Sequence, residues 1–155
     1  MSAATLMQSV TLEQLTDLLQ AAGYRVTRSE QNGIVQLLSA SQGIGYAVRA
    51  GNADQGQAAF VDFTFSSAVR IQGELPPALV GHWNASRRFA RLSVQGGFLL
   101  MEMDVVIAAG VSQHYVRNQL ELWDRLLQEF LVYLRDYRQP PAEAASQPVL
   151  ETSEA

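Results

Sequence analysis

The stretch GHWNASRRFARLSVQGGFLLMEMDVVIAAGVSQHYVRNQLELWDRLLQEFLVYLRDY, residues 81–137, changes its apolar period twice, and those changes decide the fold. Phe89 to Gln95 and Phe98 to Ile107 read as two strands, and Gly96-Gly97 between them is expected to supply the positive φ values of a two-residue hairpin connection. Val116, Leu120, Trp123, Leu127, Phe130, Leu134 and Tyr137 then recur at alternating intervals of about four and three, the stripe of a long amphipathic helix. Ser112 stands where an N-cap belongs, with Val111 and Val116 at the hydrophobic-staple positions. A hairpin followed by a helix with one apolar face calls for packing of the helix on a sheet.

Working outward, Pro76-Pro77 suits the first turn of a short helix over Ala78–Ala85 that turns Leu79, Val80 and Trp83 to the sheet. Ala58 to Ser66 alternates Val61, Phe63 and Phe65 against Asp62, Thr64 and Ser66, and Ile44, Tyr46 and Val48 mark a further strand. Tyr24, Val26, Ile34 and Leu38 belong to two more strands joined by the turn Asn32-Gly33. Upstream, Thr11 and Gln14 form a capping box, Val10 and Leu15 a staple, and Gly23 ends a helix over residues 12–22. The expected order is α-β(3–4)-α-β-β-α, an α+β fold with helices on an antiparallel sheet. One domain is expected over residues 10–138, followed by a flexible acidic tail over 139–155, which holds Pro140-Pro141, Glu143, Glu151 and Glu154.

Composition narrows the chemistry. A chain of 155 residues with 48% hydrophobic content suffices for one substantial core. No cysteine is present, which excludes disulfides and thiolate chemistry. All 11 basic residues are arginine, so Walker A, Schiff-base and kinase-type lysine chemistry is excluded too. With a formal charge of -4, and a basic cluster limited to Arg87, Arg88 and Arg91, nucleic acid is not an expected partner. No apolar run has the length of a membrane span or a signal peptide, which points to the cytoplasm.

The polar candidates are few. Glu102 and Asp104 share a face of their strand, within reach of Arg91 or Asp62 on neighbours; the face reads either as a paired-carboxylate site or, as expected, as a half-exposed surface on which Arg91 pairs with an acid. His82 and His114 lack a metal-ligand pattern, and no catalytic, cofactor or metal residue is assigned. More informative is the strand 98–107, which is apolar on both faces: Phe98 and Leu100 lie with Glu102, while Leu99, Met101, Met103, Val105 and Ile107 lie opposite. The surplus points to a surface for a partner, and Trp83, Phe98, Leu100, Glu102, Asp104 and Arg91 are the expected contact residues.

Trp83-Asn84, Arg88-Phe89-Ala90-Arg91, Glu102-Met103-Asp104 and Gly110-Val111, in this order over Thr11 to Tyr137, resemble the YbjN-like family of bacterial proteins, labelled sensory transduction regulators. The resemblance implies a fold like that of type III secretion chaperones and carries no catalytic residues. The expected function is therefore a non-enzymatic protein-binding module, a regulator or chaperone-like adaptor in bacterial sensory or stress signalling. Its partner would be another protein or peptide segment, or a second copy of the chain as a homodimer. The alternative is a small-ligand sensor or hydrolase using the carboxylate cluster.

Overall fold

The computed structural model describes residues 5–55 and 58–137. The expected tail over 139–155 falls outside them. Helix α1 (Leu12–Ala21) starts at the capping box, where the Gln14 amide donates to Thr11 Oγ1 at 3.0 Å and the Thr11 amide to Gln14 Oε1 at 2.8 Å. Just before it, Val10 exchanges backbone bonds of 2.8 Å with Phe60, which ties the helix entry to the sheet. Gly23, at φ 98°, redirects the chain after α1.

A six-stranded antiparallel sheet follows in the order β1-β2-β3-β4-β6-β5. Its strands are β1 (Thr27–Gln31), β2 (Ile34–Ser41), β3 (Ile44–Ala50), β4 (Asp62–Arg70), β5 (Arg91–Gln95) and β6 (Phe98–Val106). Asn32 and Gly33 have φ of 54° and 77°, both positive as a type I′ turn requires, so β1 and β2 form a tight hairpin. At the other hairpin Gly96 has φ 58°, whereas Gly97 is not in the positive region; that is the type II′ pattern, in which only the first central residue needs it. The expectation of two positive angles is corrected accordingly. β6 lies between β4 and β5, so the hairpin partner of β5 is an interior strand of the sheet.

Helix α2 (Leu79–Ser86) precedes the β5–β6 hairpin, and α3 (Gln113–Asp136) follows it, capped by Ser112, which accepts from the Tyr115 amide at 3.0 Å. All three helices pack on one face of the sheet. Trp123 of α3 lies flat on Phe65 at 5.3 Å between centroids and edge-on to Tyr46 at 5.8 Å. Leu15 and Leu19 of α1 join Val116 and Leu120 of α3 over Val48, Phe63 and Phe65. Leu79 of α2 and Leu134 of α3 meet Leu99. The core on this side is continuous through Leu37, Leu92, Met101, Met103 and Val105.

The structure departs from the sequence reading in a few places. β1 begins at Thr27, leaving Tyr24 and Val26 before it. Ile34 is 64% exposed and Leu38 is exposed as well, because register pairs Leu37 with Val48 and gives the helix side of β2 to Leu37. Phe89 is exposed at φ 80°, and that turn delays β5 until Arg91. Polar Arg117, Glu121, Arg125 and Glu129 do line the outer, exposed side of α3.

Candidate functional site

The face turned away from the helices carries alternate residues of every strand, and register places them in rows. One row runs Leu38, Ala47, Ser66, Glu102, Arg91; the next holds Gln36, Arg49, Thr64 and Asp104. Small side chains such as Gly45, Ala47 and Ser66 flatten its middle. Apolar groups remain at its rim on both sides of the acids, with Phe98 38% exposed and Leu100 half-buried before Glu102, and Val106 57% exposed beyond Asp104.

Glu102 is the centre of the network. Although none of the three described helices is packed over it, it is only 7% exposed, since arginine stems fold across it. Arg49 donates to its Oε2 at 2.8 Å, Ser66 Oγ donates to the same oxygen at 2.8 Å, and Arg91 donates to Oε1 at 3.3 Å. The other guanidinium nitrogen of Arg91 reaches Asp104 Oδ2 at 3.0 Å, and Thr64 Oγ1 donates to Oδ1 at 2.6 Å. Burial alone would push both acids up; the hydrogen bonds to Glu102 from Arg49 and Ser66, those to Asp104 from Thr64 and Arg91, and the arginine charges outweigh it and hold both below the ordinary carboxylate range. Both carboxylates are thus ionised and already partnered near neutral pH. That arrangement fixes side chains in place and leaves neither acid protonated to donate.

Of the residues expected to meet a partner, the structure gathers Arg91, Glu102 and Asp104 in direct contact and places Phe98 and Leu100 on the same face. Trp83 stands apart: it is 0% exposed inside the core, its Nε1 donating to the Ala90 carbonyl at 3.0 Å while Arg87 lies over its ring at 4.6 Å. Its place on a contact surface is therefore corrected, since the ring faces Phe130 and Tyr133 of α3. Asp62 does not join the acids either, and instead binds the Asn52 amide at 2.9 Å and side chain at 2.8 Å.

Arg49, Ser66 and Thr64 were not recognised from sequence as members of the network. The available signal was their position on the polar side of alternating strands, which does not say which strands become neighbours. Among the described residues neither histidine hydrogen-bonds to the acids; His82 stacks on Tyr133 at 6.1 Å, beside a cleft of about 450 Å³ lined in part by Arg87 and Tyr137. Among the described residues no three His, Asp or Glu side chains gather in a metal-ligating cluster, and no helix is long and apolar enough to cross a membrane.

A family model, YbjN, described as "Putative bacterial sensory transduction regulator", matches residues 11–135. The chain belongs to the YbjN family. No curated protein and no solved structure matches it. The YbjN match starts at the capping Thr11 and ends in the last turn of α3, so it takes in every strand and all members of the Glu102 network.

Proposed function

We propose that this YbjN-family chain is a non-enzymatic regulator or chaperone-like adaptor of bacterial sensory or stress signalling, acting in the cytoplasm by holding a segment of another protein against the open face of its sheet. The observation that carries this reading is the one-sided packing of α1, α2 and α3, which leaves Phe98, Leu100 and Val106 beside a fully paired ionic network on the other side. Apolar rim groups would supply the affinity, and the fixed charges of Arg49, Arg91 and Asp104 would set the register of the bound segment. A sensor or hydrolase built on Glu102 and Asp104 is less well supported, because either role asks for an acid free to bind or to exchange a proton.

Site-specific photo-crosslinking in bacterial cells tests this. A crosslinker at Ala68, exposed on the open face opposite Leu100, is expected to give discrete protein adducts, whereas one at Gln128 on the outer side of α3 is not. Leu100→Asp should abolish the Ala68 adducts while leaving the thermal melt cooperative. Equal adduct patterns from the two positions, or none from Ala68, would overturn the reading.

A further inference from the structure

The two edges of the sheet are not alike. At β5 the outward backbone is already engaged, since Asn84 of α2 accepts from the Leu92 amide at 2.8 Å and donates to its carbonyl at 3.0 Å. At β1 no such guard is present among the described residues. Gln31 and Ile34 flank a two-residue turn, which makes them a hydrogen-bonded pair; by alternation Thr27, Ser29 and Gln31 point their backbone groups at β2, and Arg28 and Glu30 point theirs outward. Both outward residues are exposed, and neither makes an ion pair among the described residues.

We propose that a second copy of this chain pairs its own β1 antiparallel with this edge, with Ser29 on the two-fold axis. Such a contact is isologous, so every pairing occurs twice. Backbone geometry restricts the register, because outward residues must face outward residues. Three symmetric registers centred within the strand satisfy this. Centring on Arg28 sets arginine against arginine, and centring on Glu30 sets glutamate against glutamate; both are unfavourable. Centring on Ser29 alone places Arg28 opposite the partner's Glu30 and Glu30 opposite the partner's Arg28, with the small Ser29 meeting its copy in the close, non-hydrogen-bonded position. Charges on an edge strand ordinarily keep other strands away. Here their alternation in sign makes the edge complementary to itself in one register and repulsive in its neighbours.

The two-fold axis of this pairing stands perpendicular to the sheet. The helices of both copies consequently fall on one side, and their open faces join into a single continuous surface. Self-pairing at β1 thus leaves the face proposed above uncovered, and the two contacts can fail independently.

Sedimentation of the full chain over a concentration series tests the pairing. The wild type should show a monomer–dimer equilibrium that weakens as salt is raised. Arg28→Glu and Glu30→Arg should each weaken it by about tenfold or more, since each turns both opposite-sign pairs into like-sign ones. An equimolar mixture of the two variants should recover wild-type association, one edge being wholly negative and the other wholly positive. At concentrations low enough for the wild type to be monomeric, thermal melts should coincide for all forms, the two side chains being exposed. A wild type that stays monomeric at every concentration reached, a dimer indifferent to both substitutions, or a mixture that fails to associate would each overturn the proposal.

Discussion

Replacing Glu102 offers the sharpest test of how the open face is held. The carboxylate accepts from Arg49, Ser66 and Arg91, so Glu102→Ala leaves two guanidinium groups facing each other and a buried hydroxyl without its acceptor. Removing one partner of a fully buried ion pair costs about 3–5 kcal/mol. The arginines here are 40% and 51% exposed, so water takes over part of their solvation and the expected loss falls below that range. It should come to about 2.5 kcal/mol for Glu102→Ala, and about 2 kcal/mol for Glu102→Gln, which keeps the shape and one acceptor. The milder variant should lower the melting temperature by about 4–8 °C.

The pH dependence distinguishes an ionic role from simple packing. The folded protein holds Glu102 below its ordinary value of 4.5, so the stabilisation is present above that value and is lost as pH falls through the folded one. Urea unfolding followed through the fluorescence of the buried Trp83 and Trp123 should therefore separate wild type from Glu102→Gln at neutral pH, and the curves should converge in acid. A loss under about 0.5 kcal/mol at neutral pH, or an equal loss in acid, would show that the carboxylate charge contributes nothing and that the network is incidental.

Asn84→Ala should cost about 1–2 kcal/mol by stripping Leu92 of both edge hydrogen bonds, and hydrogen exchange at the Leu92 amide should accelerate; unchanged exchange would refute the clamp. Tyr46→Phe should be neutral or stabilising by up to about 1 kcal/mol, because among the described residues the buried hydroxyl makes no well-formed hydrogen bond, only a weak approach to the Ser39 side chain. Burial pushes the Tyr46 phenol up from 10.0 to about 12, so its contribution is complete below the lower value and disappears as pH climbs through the upper one; the phenylalanine variant should lack that alkaline step in a pH-dependent melt. Gly51→Ala should lose about 1–3 kcal/mol in denaturant unfolding, since the added methyl collides with the Asp62 side chain that secures Asn52.

Local signals were the readable ones. The Thr11–Gln14 box, the Asn32-Gly33 turn and the stripe from Val116 to Phe130 each require only neighbours in the chain; box and stripe specified their helices to within a residue or two, and the turn fixed the hairpin's tip though not the start of β1. The face of β2 was not readable in the same way. Leu37 and Leu38 are adjacent and apolar, so a period of two assigns them to opposite sides without saying which side meets the helices; pairing of Leu37 with Val48 settles it. Phe89 misled for a related reason, since its apolar character fits a strand while its positive φ belongs to the corner before one.

The candidate site depended on a fact of longer range. Glu102 comes from β6, Ser66 from β4, Arg49 from β3 and Arg91 from β5, and they meet because β6 enters the sheet between β4 and its own hairpin partner. Seen from the sequence, the two-sided apolar run of 98–107 implied more apolar surface than the helices cover, but not where its strand stands in the sheet. The structure makes that strand an interior one, next to the β5 edge. In water Val106 gains little and Phe98 gains only the Arg70 guanidinium stacked 5.2 Å from its ring centroid, whereas a face kept permanently dry would bear a heavy desolvation cost for Arg49, Arg91 and Asp104. Both sets of residues occupy one surface here, a composition that suits the transient contact proposed above, the ionic network being assembled already in the chain alone.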